Sequence, residues 1–376
     1  MPNKTNSNNL ITWLRQLQWK YVLPVAVFVI ILGAGIAIYT VPGWSENMPW
    51  SKDKTSNSGN QNDSQSLLVN NSKTDLVARA IDGVLVKPDL ANEHPVAIMI
   101  DNVPGAWPQN GLEAASVIYE TLVEGGATRL MAVFAGGTST KIGPIRSARP
   151  YYLDWVSEYD AFYGHVGGSP DALGAIDGLK IKDFSQMKNG QYFWRDTGRA
   201  APHNVYTSSE LIARALRDKN ITAATTYEPW KFKDEALIEQ RPANQGVIEV
   251  KFSNGNTWTS QFKYNATDNT YRRFEPKDTP QVYAESSQPT KVKNVIVQII
   301  PSILGVGEKG RLTLDVSGQG SAYVFRDGVK IEGSWRKPDR LLRTRYYDTY
   351  GNEVELNRGT TWVLIIPKDQ PVTYTE

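Results

Sequence analysis

The stretch from Tyr21 to Gly43, YVLPVAVFVIILGAGIAIYTVPG, carries no charged side chain. As a helix it is long enough to cross the roughly 30 Å hydrocarbon core of a bilayer. No other feature restricts the chain as much, because backbone in hydrocarbon must satisfy its polar groups internally and a single segment can do so only as a helix. Lys4, Arg15 and Lys20 precede the run with no acidic residue among them. This positive flank places residues 1–20 as a cytoplasmic tail and sends everything after Gly43 outside. The run exceeds the roughly 7 to 15 residue apolar centre of a cleaved signal peptide, and no small-x-small cleavage site follows, so 21–43 reads as an uncleaved signal anchor. Trp13, Trp19, Tyr39 and Trp44 fall at the two interfaces, where amphipathic rings prefer to sit.

Residues 44–77, including SKDKTSNSGNQNDSQS, are rich in Ser, Asn, Gln and Lys. Such a segment buries too little apolar surface to offset chain entropy and reads as a flexible stalk. The remainder is globular in composition, within a chain of 376 residues that is 40% hydrophobic and 21% charged. Its 41 basic and 39 acidic residues nearly cancel, which leaves no whole-molecule field for nucleic acid. The absence of cysteine excludes disulfides, thiolate metal sites and a lipidated cysteine.

Two folded regions follow. In residues 78–235 the apolar runs HPVAIMID, TRLMAVFAGG and YDAFYGHVGG each end in a turn and read as buried strands. Helices are expected at PYYLDWVSEYD, where Pro150 opens the first turn, and after the capping pattern TSSE at 207–210. Strands alternating with helices predict an α/β or α+β layer structure. From 240 to 372 the chain turns mainly β. Asn-Gly in KFSNGNTWTSQFKY and Asp-Gly in YVFRDGVKIEGSW each sit between alternating β-prone residues, which predicts hairpins. GVGEKG at 305–310 fits a dinucleotide fingerprint, but the alternating RLTLDVS that follows predicts a strand where phosphate binding needs a helix. It is read as a turn, and no cofactor is expected.

Candidate functional residues gather at predicted strand ends of the first region. Arg146 and Arg149, in KIGPIRSARPYYLD, carry guanidinium forks suited to phosphate, sulfate or carboxylate. Gly167, Gly168 and Ser169 lead into a helix opened by Pro170, an arrangement that offers backbone N–H groups to an anion. Ligands of open α/β sheets bind beyond strand carboxyl ends, where both segments fall. Arg129 and Asn204 join the candidate binding set. Asp101, His165 and His203 are the candidate acids or bases. The three histidines have no metal-binding spacing, and no metal site is predicted.

The succession PVAIMIDN, IGPIRSARPYYLD, YDAFYGHVGGSP and APHNVYTS, with NVIVQ and DTYGNEVELNRGTTWVLIIP later, resembles the YerB family of bacterial surface lipoproteins. The likeness covers roughly residues 80 to 370 and implies an extracytoplasmic location and a two-part architecture. This chain has no cysteine to acylate, so anchoring passes to 21–43. TRLMAVF, GPIRSARP and YDAFYGHVGG in that order are also similar to the LytR-CpsA-Psr phosphotransferases. There, an Arg-x-Asp strand and a Pro-Arg-Asp motif surround a lipid pyrophosphate; here Leu130 and Met131 follow Arg129, and Ser147 follows Arg146. The expected function is binding of an anionic envelope lipid or wall glycopolymer. The alternatives are phosphoglycosyl transfer at the same site, or a scaffold for an envelope protein.

The topology is testable because the chain lacks cysteine. A membrane-impermeant maleimide applied to intact cells is expected to label Ser51→Cys and to spare Ser7→Cys.

Overall fold

The computed structural model describes residues 75–221, 227–243, 246–253, 258–301, 303–305 and 308–375, the side chains of 303–305 and 308 excepted. The tail, the anchor and all but the last three residues of the stalk lie outside the described residues. Among the described residues no helix is long and apolar enough to cross a membrane. Ser72–Glu376 is one compact unit.

The strands that shape it are β1 (Val96–Asp101), β2 (Val117–Leu122), β3 (Thr128–Phe134), β4 (Phe162–His165) and β5 (Lys182–Ser185), followed by β6 (Val247–Lys251), β7 (Thr259–Asn265), β8 (Thr270–Glu275), β9 (Asn294–Ile300), β10 (Gly318–Arg326), β11 (Val329–Lys337), β12 (Arg345–Asp348), β13 (Thr361–Pro367) and β14 (Val372–Thr375). Ten form one mixed sheet in the order β12-β11-β10-β9-β13-β2-β3-β1-β4-β5. A second, antiparallel sheet contains β8-β7-β6-β14, with short strands added beside β8.

The middle of the large sheet is buried on both faces, as the unbroken apolar runs of β1, β2 and β3 require. Period-two alternation decides which residue goes where. Ala97, Met99, Tyr119, Met131 and Val133 face helix α1 (Tyr152–Glu158) and its Trp155. Ile98, Ile100, Ile118, Leu130 and Ala132 face the second sheet and its Ile248, Phe262 and Tyr264.

An alternating arrangement occurs where β1, β4 and β5 run parallel, with α1 leading into β4 and α2 (Pro170–Gly178) joining β4 to β5. These helices and α3 (Ser209–Asp218) are short, and the protein is mainly β. The two regions read from sequence, 78–235 and 240–372, share the large sheet: β13, from near the carboxy terminus, lies parallel to β9 on one side and to β2 on the other. Its residues TWVLIIP are buried throughout, and a strand apolar on both faces gains most in a sheet interior.

The helix signals hold to within two residues where residues are described, with α1 beginning at Tyr152, two beyond Pro150. Ser169 caps α2 by accepting from the Ala172 N–H, and Pro170 opens it. The cap of α3 is Ser208, one residue beyond the start of the TSSE pattern. Ile303–Gly305 and Leu312–Leu314 pair antiparallel, so the residues after GVGEKG form the expected strand. Asp327 and Gly328 form the two-residue turn between β10 and β11, with φ of 52° and 76°, the left-handed pair that such a hairpin needs. This turn is buried. Asp327 accepts from Asn269 at 2.8 Å and Asn357 at 2.7 Å and pairs with Lys233 at 2.7 Å. Burial works to raise its carboxyl, but those partners outweigh it and hold the group at about 2.

A Cβ on Gly328 would collide with the Tyr264 ring and would sit at a positive φ. Gly328→Ala is therefore expected to destabilise the protein by about 2 kcal/mol or more, read as a lower urea midpoint with an unchanged slope.

Candidate functional site

The site forms where one segment crosses the carboxyl ends of two parallel strands. Ile145 bridges to Ile100 in β1, the Arg146 N–H donates to the Met99 carbonyl at 2.9 Å, and the Arg146 carbonyl accepts from Val166 just past β4 at 3.0 Å. Ala148 then donates to the Gly167 carbonyl at 3.0 Å. Residues 145–148 thus act as a short extra strand between the ends of β1 and β4. Arg146 is placed beside Asp101, the last residue of β1, and Asp101 is paired in register with Arg129 on β3.

Asp101 is buried, and its Oδ2 accepts from His203 Nδ1 at 2.6 Å. Arg146 Nε lies 3.0 Å from the same oxygen, an ion pair without hydrogen-bond alignment. The Arg146 side chain is 25% exposed, and its two terminal nitrogens make no hydrogen bond to the described residues. Arg129 is only 6% exposed and has no carboxylate partner among the described residues; Nη1 donates to the Ser147 carbonyl at 2.8 Å, and Nε has no partner. Burial, followed by the charges of Arg149 and Arg146, lowers its pKa. Removing a cation from water without pairing it is costly, and an anion at this place would offset that cost.

Arg149 is committed elsewhere. Its Nε and Nη2 fork onto Glu124 at 2.6 and 2.7 Å, and Nη1 donates to the Ala148 carbonyl. Of the expected donors around Gly167, the Ser169 N–H is engaged with this segment, donating to the Ala148 carbonyl at 3.2 Å, while Ser169 Oγ caps α2. Gly167 adopts φ 61°, and a Cβ on Gly168 would press on Leu173 and Ala148, so glycine is needed for the strand-like approach. His165 is fully buried; Nδ1 meets the Gly167 carbonyl at 2.7 Å and Nε2 meets Asp183 at 3.0 Å, which fixes the turn. Asn204 accepts from Arg195 and steadies the loop that presents His203. The structure therefore groups Asp101, Arg129, Arg146 and His203, flanks them with Arg149, and sets His165, Gly167, Gly168, Ser169 and Asn204 around them as supports. Among the described residues no cluster of His, Asp or Glu could hold a metal ion.

Sequence reasoning missed a buried polar network beside this site. Glu120 in β2 accepts from Asn102 at 3.0 Å, Thr128 at 3.0 Å, Ser260 at 3.0 Å, Arg273 at 3.1 Å and Trp362 at 3.0 Å. Arg273 also pairs with Glu275. The signal was a lone glutamate inside the apolar strand VIYETL, which demands buried partners.

A mainly β protein built on one wide mixed sheet, with an arginine cluster at a strand end, is the class that fold and site define. Residues 82–222 match the family described as "Protein of unknown function (DUF3048) N-terminal domain", and residues 248–363 match its C-terminal domain. The chain is 28% identical over 297 residues to YerB of Bacillus subtilis (strain 168), named as a candidate lipoprotein, covering 76% of this chain and 85% of that one. The crystal structure of B. subtilis YerB superposes with a TM-score of 0.71 at 24% identity, over 80% of this chain and all of that one, and shows the same fold. The chain belongs to the YerB family.

The Arg149 fork has a stability consequence. Burial works to raise the Glu124 carboxyl, but the hydrogen bonds and charge of Arg149 outweigh it and hold the group below its ordinary value. A carboxyl lowered in the folded state stabilises above its unfolded pKa of about 4.3, and that contribution is lost as pH falls through the lower folded value. Arg149→Ala is expected to cost roughly 1 kcal/mol near pH 7, modest because the pair is partly exposed. The difference from the parent should shrink below about pH 4 in denaturant titrations.

Proposed function

We propose that this chain is a membrane-anchored envelope protein, held by residues 21–43 with its folded part outside the cell, that binds an anionic ligand at Arg146 and Arg129 beside the Asp101–His203 pair. The ligand class is a phosphorylated envelope lipid or wall glycopolymer. The observation that carries this reading is the state of the two arginines: Arg129 is buried with no carboxylate partner among the described residues, and Arg146 next to it presents open terminal nitrogens. A phosphate oxygen reaching Arg146 would enter the field of both cations and complete what Asp101 balances only in part. The charge-free run after Lys4, Arg15 and Lys20 supports the anchor, and the name of the B. subtilis relative, a candidate lipoprotein, agrees with a membrane-associated place.

A second reading is group transfer at the same site. It is favoured by the Asp101–His203 pair: with Nδ1–H donated to a buried carboxylate and a ring 26% exposed, Nε2 would take the proton of an incoming hydroxyl as its oxygen bonds phosphorus and the P–O bond to the departing polyprenyl phosphate breaks. Turnover of a polyprenyl pyrophosphate that is lost in His203→Asn while binding persists would establish it.

Calorimetry of the detergent-solubilised full chain against farnesyl pyrophosphate and a poly(glycerol phosphate) wall polymer tests the binding reading. Arg146→Ala is expected to weaken binding by about tenfold or more, the loss of one charge-assisted contact. If the parent binds neither probe, or if Arg146→Ala binds as tightly as the parent, the assignment is wrong.

A further inference from the structure

A cavity of about 1040 Å³ lies on the opposite side of the loop that follows β1, and nothing in the arginine cluster uses it. Its size is at the top of the roughly 300–1,000 Å³ range of small-molecule pockets. Its floor is a patch of β6 and β7. Glu249 is paired in register with Gln261, and Lys251 with Thr259, so four hydrogen-bonding side chains form a tile on one face. The alternate residues Ile248, Val250, Ser260 and Phe262 are buried on the core side. The tile is thus on the face that would ordinarily meet open water, yet it is walled by apolar, rigid groups: Pro104, Trp107 and Pro108 on one flank, and Pro276, Pro280 and Val282 on the other.

Three details give the cavity its chemistry. Trp107 Nε1 donates to Asn102 Oδ1 at 3.1 Å, which fixes the indole within the wall. Thr259 Oγ1 and Gln261 Oε1, both shielded from solvent, have no hydrogen-bond partner among the described residues. The cavity carries both signs, with Glu249, Glu275 and Asp278 against Lys251 and Lys277, so its lining is not of one sign.

From these features we infer that the cavity binds the neutral, polyhydroxylated face of a saccharide chain. The C–H faces of sugar rings pack on a fixed indole and on prolines, while ring hydroxyls donate to and accept from the tile. An acyl chain would desolvate four polar side chains without pairing them. An extended peptide would find a sheet face here, not the unpaired edge that strand addition uses. Glu275, which also lines the cavity, is held above its ordinary carboxyl value mainly by burial, and its partner Arg273 connects it to Glu120. The inference stands apart from the phosphate reading, because it is made on different residues and for an uncharged ligand.

The test uses neutral sugars and the full chain in detergent. Triacetylchitotriose and maltotriose are titrated in saturation-transfer NMR against the parent, Trp107→Ala, Gln261→Ala, Thr259→Val and Arg146→Ala. At least one sugar is expected to bind the parent, with about tenfold weakening in Trp107→Ala and in Gln261→Ala and no change in Arg146→Ala. Gln261 and Thr259 lie outside the core, so their variants test the cavity even if Trp107→Ala proves unstable. No binding of either sugar at millimolar concentration, or binding that the Gln261 and Thr259 variants leave unchanged, would overturn the inference. Loss in Arg146→Ala alone would place the sugar at the arginine cluster and overturn it as well.

Discussion

The carboxylate of Glu120 is the interaction on which the rest of the structure depends. It is buried in the middle of β2 and accepts hydrogen bonds from the loop after β1, from β3, from both strands β7 and β8 of the second sheet, and from Trp362 on β13. A buried charge is tolerated only when paired and fully hydrogen-bonded, and Arg273, buried to the same degree, supplies the countercharge. Apolar packing alone would let the two sheets slide over each other. A set of directional bonds converging on one carboxylate fixes their register, and removing Arg273 would leave the glutamate without its countercharge in the core.

The arginine site follows from that fixed register. With β1, β2 and β3 locked side by side, the end of β1 carries Asp101 and Asn102 in adjacent positions with opposite duties. Asn102 faces Glu120 and ties the strand end into the network, whereas Asp101 faces outward to His203 and Arg146. The loop that leaves Asn102 separates the two concave regions. Gly105 packs against His203 on one side, and Trp107 lines the large cavity on the other. Arg199 holds that loop by donating to the Pro108 carbonyl at 2.7 Å. One loop thus links the cationic cluster and the polar-floored cavity to the same anchor.

Much of this was legible in the sequence, where the signal was local. The buried strands, the cap at Ser169, the start of α3 to within one residue of the TSSE pattern, and the Asp-Gly turn at 327–328 are determined by residues within a few positions of one another. Membership in the YerB family was legible from several unusual stretches in order. The alternation of strands and helices in the first region was overweighted, because apolar runs of strand length say nothing of how few helices cover them. The insertion of β13 between β9 and β2 was not legible, since pairing across so much chain leaves no trace in a local pattern. The site was legible in part: Asp101, Arg129, Arg146 and His203 were candidates, but the meeting of Arg146 and His203 on one oxygen of Asp101, and the commitment of Arg149 to Glu124, depend on how the 145–148 segment crosses the strand ends.

The central claim is that the cluster of Arg146 and Arg129 is an anion site. The most direct measurement is a crystal of the protein soaked in tungstate, with the tungsten located by anomalous scattering. The account expects the strongest peak within hydrogen-bond distance of the Arg146 terminal nitrogens, on the side facing Arg129. Strong peaks at other arginines with none at Arg146 would contradict it and would make the buried charge of Arg129 a feature of the scaffold alone.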